Sequence, residues 1–275
     1  MTYLKHIYLS VLLLVALISH ANANLLVSPT RILFEGKERV QDVVLINVTE
    51  QTRSYRIGWQ EYTVDEKGDY KVIPDNDVSF ASSNFIRYSP RQVTLKAGER
   101  QVIKLMLRRK ASMESPEYRS HLKFTALPVT TNSDNSNATE GVGFKVKVLT
   151  SYSIPVIVRT LKEVPSIAID NIRLVRKTTD KLSFQMDLIK SGVTSVNGEL
   201  NVFRLSDNNQ PDAKVGILRG INVFHEKSKR VITVDALDGE SLASGKYRFV
   251  FYDSNNNKNN VLAENVTVLD IDNFN

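Results

Sequence analysis

The chain has no cysteine. That excludes thiol redox chemistry, disulfide bonds and cysteine–zinc sites. Histidine is scarce: four in 275 residues, two of them, His6 and His20, in the first twenty. The remaining pair, His121 and His225, lie far apart in sequence, and neither has a second histidine at metal-ligand spacing. Phosphate-binding glycine loops, Gly-x-Ser-x-Gly elbows and zinc-protease motifs are also missing. Asp270 and Asp272 read as a solvated terminus. No spacing of carboxylates argues for an acid–base pair. Metal, cofactor and catalytic readings therefore have no support, and the expectation is a non-enzyme with no cofactor.

Long apolar runs are absent beyond the N-terminus. There, Lys5 and His6 precede an apolar stretch from Ile7 to Ile18 broken only by Ser10. Ala21-Asn22-Ala23 has the small-x-small pattern of a signal-peptidase site. The stretch is shorter than the roughly 20 apolar residues that span a bilayer. Residues 1–23 thus read as a secretory signal, with the exported protein starting at Asn24 and soluble once exported. About 250 residues remain, enough for two domains that hold together by core burial without disulfides. The whole chain carries 36 Lys+Arg against 30 Asp+Glu. Loss of Lys5 leaves 35 against 30, or +5. This mild excess suits an acidic partner. There is no dense basic patch with interleaved aromatics, so nucleic acid is not indicated. Arg108-Arg109-Lys110 reads as a solvated strand end.

What is present is alternation with a period of two. Tyr55, Ile57 and Trp59 alternate with Arg56, Gly58 and Gln60. Val40–Val48, Val93–Leu95, Gln101–Leu107 and His121–Leu127 read as further strands, with turns at Glu35–Lys37, Asp65–Asp69 and Lys96–Glu99. Val156–Val158 continues beyond Pro155. Thr160–Pro165 is polar and proline-punctuated, which places a boundary near 161/162. Beyond it, Ile167–Val175, Leu182–Leu188, Gly198–Phe203, Gly216–Phe224, Lys229–Val234, Tyr247–Tyr252 and Val261–Leu269 make about seven strands in about 110 residues. Turns rich in Asn, Asp and Gly separate them. The expectation is an all-β protein of two sandwiches, residues 24–161 and 162–275, the second of them immunoglobulin-like.

The stretch Gly141–Leu149 is the most suggestive. Val142, Phe144, Val146 and Val148 alternate with Gly143, Lys145 and Lys147. The four apolar side chains line one face of the strand. It follows a polar run, Thr130–Glu140, whose one apolar residue is Ala138. A strand reached through such a loop can sit at a sheet edge, offering backbone groups and an apolar row to another chain. Taken alone, it reads first as an ordinary core strand of a sandwich.

Several segments resemble the periplasmic pilus chaperones of the chaperone–usher pathway. They are Ser28–Arg39 with Val44–Asn47, Ile86–Leu95 with Gly98–Gln101, Glu117–Leu122, and Val142–Arg159 ending Ser153-Ile154-Pro155-Val156-Ile157-Val158-Arg159. They span most of residues 26–160, in family order, and are most similar to the archaic-like branch. The second half matches only as a β domain in the right place. The resemblance implies two immunoglobulin-like domains at an angle with a cleft between them. It also implies that the chain binds fimbrial subunits lacking their last strand and delivers them to an outer-membrane usher. The strand lent to the subunit would carry Val142, Phe144, Val146 and Val148, a case of β-strand addition.

It further implies two basic residues that hold the subunit's C-terminal carboxylate. Arg31, in Thr30-Arg31-Ile32-Leu33-Phe34, matches the first. The second is a lysine just after the lent strand, where this chain reads Thr150-Ser151-Tyr152-Ser153. Arg91 and Lys147 stand as candidates for it, with Arg159 a weaker one. The rival readings are a secreted adhesin or fibre of two immunoglobulin-like modules, and a hydrolase on a β scaffold. An exposed apolar strand also implies self-association of the free protein, or a loop at Thr130–Glu140 that caps it.

Overall fold

The computed structural model describes residues 24–74, 78–111, 113–128, 149–178, 181–206, 211–237, 242–254 and 260–271. Nearly all regular structure among them is β, with a single 3-10 turn at Ser82–Asn84. No helix among them is long and apolar enough to cross a membrane.

Strands between Leu25 and Arg159 form two facing sheets. One is ordered Leu25–Ser28, Val40–Asn47, Arg100–Leu107, Ile86–Ser89. The other is ordered Ile32–Phe34, Ser151–Arg159, Glu117–Ala126, Arg53–Gln60, Gln92–Leu95. Alternation is the cause of the packing. In Val40–Asn47 the inward positions Val43 and Leu45 are fully buried, while Val40 is half exposed. Phe34, Tyr55, Ile103, Leu122, Phe124 and Val156 meet them in one core. A separate hairpin, Tyr62–Val64 with Tyr70–Val72, projects from this sandwich. Its turn is closed by Asp65, whose Oδ1 accepts the N–H groups of Lys67 and Asp69, both at 2.9 Å. Those bonds hold the Asp65 carboxyl below its ordinary pKa.

Strands between Ser166 and Leu269 form the second sandwich. Its sheets are ordered Ser166–Thr178, Lys181–Ser191, Lys229–Asp235, and Ala213–Val223, Val196–Arg204, Gly245–Asp253, Val261–Leu269. Phe184, Leu200, Val202, Tyr247, Phe249 and Phe251 fill its core with no exposed surface. The protein is therefore all-β, with two immunoglobulin-like sandwiches.

A third, smaller cluster joins them. Val64, Ile157 and Phe224 are buried together, with Leu33 packed against them. The hairpin reinforces this contact, since the Val231 N–H donates to the Glu66 carbonyl at 2.7 Å. Gly68, at φ +91°, lies so close to Arg230 that a Cβ there would meet its Nη2 at 2.5 Å. The positive φ favours glycine here, while the tip of the Arg230 side chain is free to give way.

Several strands run longer than their apolar pattern. The segment expected at His121–Leu127 begins at Glu117, and the one expected at Val156–Val158 spans Ser151–Arg159 through Pro155. Pro155 is tolerated because it faces His121 on one side while pairing on the other side starts only at Val156.

Candidate functional site: the junction around Arg31 and Glu117

The core-facing positions of three adjacent strands fix what the other face carries. Ile32 and Phe34, Ile154, Val156 and Val158, and Tyr118, Leu122 and Phe124 all belong to the first core. Strand alternation then turns Arg31 and Leu33, Pro155, Ile157 and Arg159, and Glu117, Arg119 and His121 outward. The second sandwich covers this outward face at one end. Polar side chains that would otherwise be solvated become buried there: Glu117 is 0% exposed, Arg119 1% and His121 2%.

Glu117 is the hub. Its Oε2 accepts Arg159 Nε at 2.9 Å and the Ser195 backbone N–H at 2.9 Å. Its Oε1 lies 3.7 Å from His225 Nδ1. Arg159 also reaches Glu35 Oε1 at 2.6 Å and donates to the Ser195 carbonyl. Burial works against the Arg159 charge, but Glu117 and Glu35 more than offset it and hold its pKa above the ordinary value. Arg119 donates to the Tyr62 carbonyl at 2.8 Å and to Glu226, and its guanidinium lies 4.1 Å from the Phe224 ring centroid. Burial pushes His225 below its usual pKa against the pull of Glu226 and Glu117.

His121 sits edge-on to Tyr62, Tyr70 and Phe224, with ring centroids 4.9, 5.4 and 6.2 Å away. Burial, then the charges of Arg119 and Arg31, push its pKa down to about 3. It is a neutral imidazole at physiological pH.

Arg31 differs from its neighbours. Its Nη1 donates to Asn222 Oδ1 and its Nη2 to Ser195 Oγ at 3.0 Å, so both partners are neutral and both belong to the second sandwich. Its Nε has no hydrogen-bond partner among the described residues. Burial lowers its pKa to about 10, with Glu117 opposing and Arg159 assisting. The group remains a cation, held in place without a directly bonded carboxylate. Nη1 and Nη2 are both engaged and Nε is shielded from solvent, so a carboxylate reaches this fork by displacing Asn222 or Ser195. A cavity of about 220 Å³ between the sandwiches shares Leu33, Arg159 and Ser195 with this junction, but its lining also carries the carboxylates Glu35, Glu163 and Asp253 and does not include Arg31.

Among the other candidate anchors, Arg159 joins Arg31 at Ser195. Arg91 is exposed and stands over the Tyr88 ring at 5.9 Å. It is not among the groups whose charge acts on Arg31. Lys147 lies outside the described residues, as do Val142, Phe144, Val146 and Val148. Glu117, Arg119, Ser195, Asn222 and Glu226 were given no role by sequence reasoning. The available signal was the row Glu117, Arg119, His121, polar at every second position of a strand. Among the described residues no group of three or more His, Asp or Glu side chains is placed to hold a metal ion.

No protein-family model and no curated protein matches this chain. Among solved structures, it is similar to the CupB2 chaperone of Pseudomonas aeruginosa, at 10% identity over 88% of this chain and 98% of that one, with a TM-score of 0.44. It is also similar to the class 5 fimbriae chaperone CfaA, at 13% identity over 89% and 98%, with a TM-score of 0.41. A third is the CsuC–CsuE chaperone–tip adhesion subunit pre-assembly complex from archaic chaperone-usher Csu pili of Acinetobacter baumannii. There the identity is 16% over 90% and 98%, with a TM-score of 0.42.

Proposed function

We propose that this protein is a non-catalytic periplasmic chaperone for fimbrial subunits. It is exported by a signal at residues 1–23 and built from domains at residues 24–161 and 162–275. It captures a subunit that lacks its last strand, lends the strand carrying Val142, Phe144, Val146 and Val148, and passes the subunit to an outer-membrane usher. Neither metal nor nucleotide enters the cycle. The observation that carries this reading is Arg31, a cation fixed at the junction by Asn222 and Ser195 with one donor unpaired among the described residues.

The chemistry is recognition in two parts. Backbone hydrogen bonds along a lent strand give affinity that tolerates sequence change, and alternate side chains fill the subunit's groove. Each such side chain contributes roughly 1.5–3 kcal/mol when fully buried. Arg31 takes the subunit's terminal carboxylate, which fixes register. Arg91, Lys147 and Arg159 are candidates for a second cation there.

The test is hydrogen exchange on the protein alone and with a purified fimbrial subunit. Binding should protect the backbone amides of residues 142–148. Capture of the subunit with those amides still exchanging freely would rule out the lent strand.

A further inference from the structure

The outward face of the four-stranded sheet in the first sandwich is not polar. An antiparallel sheet with one face on the core normally carries polar side chains on the other. Val43 and Leu45, and Ile103 and Leu105 on the neighbouring strand, are fully buried in the core. Alternation therefore turns Val40, Val44 and Ile46, with Val102 and Met106, away from it. Val40 is 51% exposed, Met106 42%, and Leu26 on the adjoining strand 45%. Val44, Ile46 and Val102 are partly exposed.

Register joins these side chains into one patch. Val40 stands opposite Met106, Val44 opposite Val102, and Leu26 opposite Ile46. Between the first two pairs lie Asp42 and Lys104, also directly opposite one another. Their Oδ1 and Nζ are 3.8 Å apart, and both side chains are more than half exposed. A contact so long and solvated contributes little to the fold. Exposed apolar patches of this kind mark interaction surfaces.

The charges say which partner fits. The strands Val40–Asn47 and Arg100–Leu107 are the central two of the sheet, with one shorter strand on each side. A two-fold axis running along the strands, between the central two, lays each of them over the other's counterpart. Asp42 then faces Lys104 of the second copy, and Lys104 faces its Asp42. Val44 meets Val102 and Val40 meets Met106 at the neighbouring levels. Two-fold symmetry requires just this, that residue i meets j and j meets i.

We infer that this face is a self-association surface whose occupant is a second copy of the chain. Neither Arg31 nor residues 142–148 take part. Four strands about 4.8 Å apart and eight residues at about 3.3 Å each give a face of roughly 500 Å². A standard interface takes roughly 800 Å² per partner, so the dimer is weak and depends on concentration.

The experiment is sedimentation equilibrium of the exported chain up to about 500 μM, a range that covers weak complexes. The parent protein should show a monomer–dimer equilibrium. Asp42→Lys and Lys104→Asp should each weaken it about tenfold or more, because symmetry places two like-charged contacts in every dimer. Mixing the two variants should restore it, since one chain then carries two bases and the other two acids. Such rescue cannot come from the Asp42–Lys104 pair within one chain, which stays broken in both variants. Phe144→Ser with Val146→Thr should leave the dimer unchanged. A parent protein that stays monomeric would overturn the surface. So would a dimer indifferent to either charge reversal, a mixture no more associated than its components, or a dimer lost on changing Phe144 and Val146.

Discussion

Glu117 and Arg159 form an ion pair across neighbouring strands, and the oxygen that binds Arg159 also binds the Ser195 backbone N–H of the other sandwich. One buried carboxylate thus holds two sandwiches in one arrangement. Breaking a buried pair by removing one partner leaves an uncompensated charge. Glu117→Ala should therefore destabilise the protein by about 3 kcal/mol or more and separate the unfolding of the two sandwiches. Calorimetry should resolve two transitions where the parent protein has one. A single transition at an unchanged temperature would show that Glu117 is not the link.

Arg31→Ala should leave the fold nearly intact, because its partners Asn222 and Ser195 are neutral and also bonded elsewhere. Subunit capture should fail, since a buried carboxylate that loses its charged partner costs roughly 2–5 kcal/mol. The readouts are subunit yield in the periplasm and the thermal midpoint of the variant. Normal yield would remove Arg31 from the binding site.

Phe144→Ser with Val146→Thr discriminates a lent strand from a core strand. A lent strand loses subunit binding while the free protein keeps its stability. A core strand instead loses several kcal/mol, as buried truncations do. Urea unfolding of the protein alone decides it: a large fall in the first sandwich's midpoint would sink the lent-strand reading.

Acid should weaken the fold through His121. Its folded pKa of about 3 lies below the ordinary 6.5, so between those values the unfolded chain binds the extra proton. Stability is then complete above about pH 6.5 and falls as pH drops toward 3. His121 Nδ1 lies 3.4 Å from Arg119 Nη1, and His121→Gln keeps an acceptor there without a titrating group and should flatten that decline. Urea midpoints measured from pH 7 to pH 4 provide the check, and parallel curves for the two proteins would show that His121 does not set the acid response.

Much of the architecture was legible in the chain because strand alternation is a local property. Val261–Leu269 has the bounds its pattern predicts, and Lys229–Asp235 differs by one residue. Arg31 was singled out through its motif. The polar junction was not legible. Glu117, Arg119 and His121 read as the solvated face of a strand, since nothing local shows that Phe224, Glu226 and Ser195 will cover them, with Ser195 78 residues from Glu117 and Glu226 107 residues from Arg119. Arg109 likewise read as a solvated strand end, whereas its Nη1 donates to the Arg159 carbonyl.

The sequence by itself determined the β character, the turns and the inward side chains, because alternation and turn chemistry act over a few residues. The tertiary structure decided which polar groups lose water and which of them find partners. Desolvation and pairing depend on what lies across the junction, and that contact exists only once both sandwiches have folded and met.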